Sequence, residues 1–140
     1  MTVEISLTRD IEACLSVRRI VFIQEQGVSE AEEIDGLDAE ALHILASVDG
    51  VPMGTARILI DGATAKIGRV CVLSEQRGTG LGAVVMRKAL EVCKSQKAVK
   101  RALLGSQIHA LKFYEQLGFE AFGPIYLDAG IEHRDMEFAL

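Results

Sequence analysis

The sequence predicts an α+β fold built on one mixed sheet, and three observations predict it. The chain reads as strand, two helices, three strands, helix, strand, helix and two strands, an order that lacks the regular alternation of a doubly wound sheet. Asp49-Gly50 and Asp61-Gly62 separate apolar runs and mark antiparallel hairpins. The stretch Arg69 to Leu90 passes from an apolar strand (Val70 to Leu73) through a turn punctuated by Gly78, Gly80 and Gly82 into a helix.

Taken in order, Val3, Ile5 and Leu7 alternate with polar residues and predict a half-buried first strand. Thr8 is placed to cap a helix whose apolar positions Ile11, Cys14, Leu15, Val21 and Phe22 follow helical spacing. Arg18 and Arg19 on that helix read as a solvated face. Phe22 to Asp38 is the least regular and most acidic segment, predicting a short helix and a loop. Its carboxylates either face a cationic amine or are simply solvated.

His43 to Val48, Met53 to Ile60 and Ala65 to Leu73 then predict an antiparallel meander. A helix over Gly80 to Lys97 carries Leu81, Val85, Ala89 and Val92 on one stripe. Arg101 to Gly105 reads as a short strand. Ser106 is placed to cap a helix that turns Ala110, Phe113, Tyr114 and Leu117 inward and closes at Gly118 before Phe119. Two last strands, Phe119 to Leu127 and His133 to Leu140, meet across Asp128-Ala129-Gly130. No repeat or linker interrupts the pattern, so residues 1–140 read as one domain.

Composition narrows the function. Hydrophobic residues at 49% and charged residues at 25% are ordinary for a soluble globular protein. A net charge of −5 argues against non-specific nucleic-acid binding, which needs clustered Lys and Arg, and is compatible with drawing in a cationic amine. Cys14, Cys71 and Cys93 are odd in number and lack Cys-x-x-Cys spacing, which indicates core residues rather than disulfides or a metal site. Nothing resembles a signal peptide or a membrane span, so the expected compartment is the cytoplasm.

The glycine turn is where a ligand is expected, because helix N-terminal N–H groups lack internal partners and favour a phosphate. Arg69, Arg77 and Arg87 add positive charge nearby. A P-loop is excluded, since Gly82 is followed by Ala83 and Val84 instead of Lys-Ser/Thr. Gly78-x-Gly80-x-x-Ala83 fits the relaxed dinucleotide pattern, but no acidic residue stands about 20 positions on to hold a ribose. The remaining pattern is Arg-x-x-Gly-x-Gly at Arg77, Gly80 and Gly82, behind Val70-x-Val72. A turn that merely joins strand to helix is the plain alternative.

That pattern resembles the acyl-CoA signature of the GNAT superfamily of N-acyltransferases. His109-x-x-x-Phe113-Tyr114-x-x-x-Gly118-Phe119 is similar to a second family motif, and the element order to the whole family layout. Val21-Phe22, Glu25-Gln26, Asp35-Gly36, His43, Gln107 and Asp128 to His133 resemble the small ElaA-like subgroup. The resemblance implies a mostly antiparallel sheet with helices on both faces and a splayed parallel pair that admits the pantetheine arm. By position, Val70, Cys71 and Val72 would line the arm and thioester, and Gln76, Arg77, Gly78, Thr79, Gly80, Leu81 and Gly82 would hold the pyrophosphate, with Phe113 and Tyr114 beside them. Ser74 stands where the family often has proline.

The implied reaction is acetyl transfer from acetyl-CoA to a primary amine, small molecule or peptide, without a metal. Tyr114 is the expected general acid, since a phenol of pKa about 10 stays protonated at neutral pH and can serve a departing thiolate of about 8.5. Glu25, Glu33, His43, His109 and His133 are open as base or acceptor-site residues, as is a water relay; Glu25, His109 and His133 lead. Nothing adjacent would make Cys71 a thiolate, which favours direct transfer in a ternary complex. An acyl-CoA sensor of the same fold and a ligand-free partner-binding domain are the rival readings. A second copy of the chain is a further open partner.

Overall fold

The computed structural model describes residues 1–140. Seven strands form one sheet in the order β1-β2-β3-β4-β5-β7-β6. They are β1 Val3–Thr8, β2 Leu42–Val48, β3 Val51–Asp61, β4 Thr64–Val72, β5 Arg101–Gln107, β6 Glu120–Asp128 and β7 Ile131–Ala139. Every neighbouring pair is antiparallel except β4 and β5. Four α-helices connect them: α1 Ile11–Arg18, α2 Glu30–Glu33, α3 Leu81–Ser95 and α4 Leu111–Gln116. The predicted mixed α+β sheet and its element order are therefore present.

Alternation along the strands divides the packing between two faces. Ile44, Ala46, Ala56, Ile58, Ala65 and Ile67 bury against Leu81, Val85, Met86 and Ala89 of α3, with Tyr114 and Phe119 closing that core. Thr55 and Arg57 alternate with Ala56 and Ile58 and so point to the other face, which α1 covers. There Val17 and Val21 meet Cys71 and Leu73. All three cysteines are buried and free.

Three local expectations are corrected. Asp10, not Thr8, caps α1, its Oδ1 accepting from the Ala13 N–H at 3.1 Å; the Thr8 hydroxyl instead accepts from the Asp10 N–H. Ser106 lies inside β5, because pairing with β7 extends that strand to Gln107, and it caps nothing. β1 is an edge strand with Val3 and Leu7 about half exposed, so its alternation marks pairing with β2 more than burial. Beyond α1 the helix continues as a π-turn over Arg19–Glu25, which carries Glu25 and Gln26 toward the middle of the sheet.

Helix α4 ends at Gly118, whose φ of +107° suits glycine alone, and the Phe119 N–H returns to the Tyr114 carbonyl at 3.1 Å. A Cβ at this position would also come within 2.8 Å of the Phe138 ring. Gly118→Ala should therefore lower the urea midpoint with an unchanged m-value, by at least ~1 kcal/mol in stability.

Candidate functional site

The site begins with one extra residue in β4. Thr55 pairs with Cys71 while Arg57 pairs with Gly68, so Ala56 alone faces Arg69 and Val70. This is a β-bulge, and Arg69 occupies it with φ +51°. Parallel pairing of β4 with β5 covers only Thr64–Lys66 against Arg101–Leu103. From Ile67 onward the two strands part, and a cleft of about 700 Å³ opens between them. Val70, Cys71 and Val72 line one wall, Leu104, Gly105 and Gln107 the other; the π-turn, α4 and the β6–β7 hairpin enclose the ends.

Arg77 lines the cleft, and the rest of the glycine turn, Gly78 to Gly82, follows it outside the cleft lining. Gly80 is the N-cap of α3 with φ +90°, and no side chain caps the helix. The N–H groups of Leu81, Gly82 and Ala83 have no hydrogen-bond partner within the chain, and Gly78 and Gly80 face open space. Thr79 braces the turn through the Gln76 carbonyl at 2.6 Å. The Leu81 side chain is core, and Gly82 lets the Phe113 ring approach, its Cζ lying 3.4 Å from where a Cβ would stand. Helix N-terminal partial charge, bare backbone and free donors are features that suit an anion.

Arginine placement departs from expectation. Arg69 turns away from the glycine turn to Glu33 and Asp35. Arg77 reaches from the turn to Glu25 at 2.8 Å, while its Nε donates to the Val72 carbonyl at 3.2 Å.

Tyr114 sits between Phe113 and Phe119, with ring centroids at 5.0 and 6.0 Å. It is nearly buried, it lines the cleft, and its hydroxyl makes no hydrogen bond within the chain. Burial pushes its phenol above the ordinary range. Burial likewise pushes up the Cys71 thiol, so Cys71 is no thiolate nucleophile and contributes backbone to the cleft wall.

Glu25, His109 and His133 all line the cleft; His43 does not. Gln107 donates to Gln26 Oε1 at 3.0 Å across the gap and accepts at its own Oε1 from His109 Nε2, 2.7 Å away. His133 Nδ1 donates to the Ile131 carbonyl at 2.7 Å, leaving Nε2 as its free acceptor. His43 is buried on the α1 face, its Nε2 on the Asp38 carbonyl at 2.8 Å.

Three carboxylates of the acidic segment, Glu33, Asp35 and Asp38, are held by arginines, while Glu30 and Glu32 stay exposed. Arg18 is 1% exposed and binds Glu33 and Asp38; Arg57 binds Asp35 and Asp38; Arg69 binds Glu33 and Asp35. Arg69 Nε lies 2.8 Å from Glu33 Oε2 at an angle too bent for a hydrogen bond, so that contact is ionic. These six residues strap the α2 segment onto the bulge. One sequence signal could have found them: Arg57 interrupts the apolar run Met53 to Ile60, and arginine enters such a run only with paired carboxylates.

The family model described as an acetyltransferase (GNAT) domain matches residues 18–140. The protein ElaA of Escherichia coli K12 is 35% identical over 138 residues, covering 95% of this chain and 89% of its own. Its crystal structure superposes with a TM-score of 0.85, covering 97% of this chain and 99% of the other. YjcF of Bacillus subtilis 168, an N-acetyltransferase by name, is 36% identical, with 86% of each chain covered. An acyl-CoA N-acyltransferase from Pseudomonas aeruginosa is similar at 30% identity and a TM-score of 0.84, covering 97% of this chain and 99% of its own.

Acid tests the arginine–carboxylate strap. Hydrogen bonds from Arg57 hold the Asp35 carboxyl far below the usual carboxylate range. A depressed folded pKa gives stability that is complete above the unfolded value of about 4 and is lost as pH falls toward the folded one. Asp35→Asn should therefore melt lower than wild type at pH 7, with the gap in Tm narrowing steadily below about pH 4.

Proposed function

The chain belongs to the GNAT acetyltransferase family and is an acyltransferase, and on that premise we propose that residues 1–140 act as one N-acetyltransferase domain. It moves an acetyl group from acetyl-CoA directly to a primary amine, with both substrates bound. One observation carries the reading: the unpaired edge of β4, Tyr114 and Arg77 line one cleft, and Arg77 leads through Gly78, Thr79 and Gly80 to the free N–H groups at the α3 tip. The donor set suits a pyrophosphate at Gln76 to Gly82 and an amide-bearing arm along Val70 to Val72. When bound, acetyl-CoA supplies an acyl carbon activated as a thioester.

Transfer forms one N–C bond and breaks one C–S bond. The amine nitrogen attacks in its neutral form and gives up one proton, and the departing sulfur gains one. Backbone N–H groups of Val70 and Val72 are the donors for the carbonyl oxygen as negative charge grows there, an oxyanion-hole role. Tyr114 protonates the sulfur and is reprotonated from solvent. Its phenol is raised by burial, and a thiol taken out of water is raised by the same cause. Glu25, His109 and His133 are the cleft residues able to accept the amine proton, directly or through water. The inert Cys71 favours this single displacement over an acyl-enzyme.

Two experiments test the reading. Coenzyme A at 100 times its Kd should add ~2.7 kcal/mol of stability, read as a thermal shift. Ala83→Pro, in the first turn of α3 where proline is tolerated, deletes one of the free N–H groups and should shrink that shift at a fixed coenzyme A concentration. An unchanged shift would remove the pyrophosphate from this turn.

With acetyl-CoA and an amine panel, thiol release separates an enzyme from a binding module. Tyr114→Phe keeps the ring and should lower kcat by ~10²–10⁴-fold while leaving the coenzyme A shift unchanged. Wild-type kcat in that variant, with chemistry rate-limiting, would show that the sulfur leaves without a phenolic proton.

A further inference from the structure

Tyr126 lies on β6 and lines the cleft, and nothing in the transfer chemistry above uses it. Its ring stacks on His133, with centroids 5.9 Å apart and planes at 24°, which fixes its position. Its hydroxyl donates to Asp135 Oδ1 at 2.8 Å. A phenol has one proton, so this bond leaves only lone pairs for the cleft. Burial first, then the Asp135 hydrogen bond and the charges of Asp135 and Asp128, raise this phenol, which therefore keeps its proton at neutral pH.

The strand beneath it is cut away to admit that hydroxyl. Gly105 stands in the interior of β5 opposite Asp135, where a glycine weakens a strand and signals close approach of another group. A Cβ at position 105 would collide with the Tyr126 hydroxyl and stand 3.6 Å from Tyr126 Cζ. Gly105 is also on the wall of the splay, just beyond the last β4–β5 pair.

We infer that the Tyr126 hydroxyl, held by Asp135 over the bare backbone of Gly105, receives an N–H of the amine acceptor and orients it for attack. The assignment rests on the transfer reading above. An amine must keep its nitrogen lone pair for the acyl carbon, so it needs a partner that accepts its N–H. A hydroxyl that donates would engage the lone pair and quench it. Tyr126 presents the accepting side only.

Charge at this end points to an acceptor that arrives as a cation. Of the carboxylates lining the cleft, Glu33 and Asp35 are held by arginines, Glu25 by Arg77 and Glu32 by the Ser29 hydroxyl. Asp128, close to Tyr126, has a side chain with no hydrogen bond or ion pair. It favours an alkylammonium approaching the Tyr126 end, where one proton is shed to solvent before attack.

The test uses acetyl-CoA with n-butylamine as the acceptor probe, read by thiol release, and coenzyme A thermal shift as the cofactor readout. Tyr126→Phe keeps the stacked ring and should lower kcat/KM for n-butylamine by roughly tenfold, the value of one neutral hydrogen bond. The acetyl-CoA KM and the coenzyme A shift should stay at wild-type values, which a merely structural hydroxyl would not require. Gly105→Ala should give a similar loss by displacing the hydroxyl, and should cost little more in the Tyr126→Phe background, where the colliding oxygen is gone. An unchanged kcat/KM in Tyr126→Phe overturns the assignment while leaving the transfer reading intact. A Gly105→Ala loss that persists in full in the double variant overturns it as well. A wild-type protein that shows no coenzyme A shift, or no thiol release with n-butylamine, sinks the transfer reading itself and this assignment with it.

Discussion

The bulge at Arg69 is the constraint on which the rest of the molecule depends. With one more residue in β4 than β3 can match, the strand is bent away from its parallel neighbour after Lys66. Without that bend β4 and β5 would pair to their ends, and the cleft would be ordinary sheet. The gap leaves a row of backbone donors and acceptors without ladder partners, and a buried group left that way costs ~1–3 kcal/mol. Such an edge persists because it opens to a cleft where solvent or a ligand satisfies it.

A non-glycine residue at positive φ is uncommon, and Arg69 is anchored by its own side chain. Its guanidinium meets Glu33 and Asp35 and donates to the Glu33 carbonyl at 2.9 Å. Those carboxylates are shared with Arg18 and Arg57, so bulge, α1, α2 and β3 form one charge-balanced assembly. Replacing one member would strand its partners in a poorly solvated place, typically ~3–5 kcal/mol. The strap has a chemical consequence too. It ties up Glu33 and Asp35, and Asp128 is the carboxylate lining the cleft whose side chain has no hydrogen bond or ion pair.

The two faces of the sheet divide the labour. Toward α3 and α4 the core is apolar, and it fixes the glycine turn and Tyr114 relative to one another through Phe113, which touches both. Toward α1 it is a mixture of a small apolar cluster and the buried ion pairs. The cleft runs between these regimes, with apolar Val70, Val72 and Leu104 and polar Gln107, His109 and His133 on its walls.

The sequence by itself determined what depends on neighbours in the chain. Asp-Gly turns, the apolar stripe of α3, the Gly118-Phe119 stop and the Arg77-x-x-Gly80-x-Gly82 turn are set by backbone preferences and short periodicities, and each was legible. Cap residues were misplaced at Thr8 and Ser106 because neighbouring polar residues compete for the same N–H groups, and sheet pairing settles where a strand ends. Tertiary structure alone decided the burial of Arg18, which on a helix looks solvated until Glu33 and Asp38 arrive from 15 and 20 residues away. It alone decided that His109 binds Gln107, that His43 leaves the site, and that Tyr126 overhangs Gly105 from a strand 21 positions on. Such contacts join residues by register across strands, and register is fixed by the whole sheet rather than by any local run of sequence.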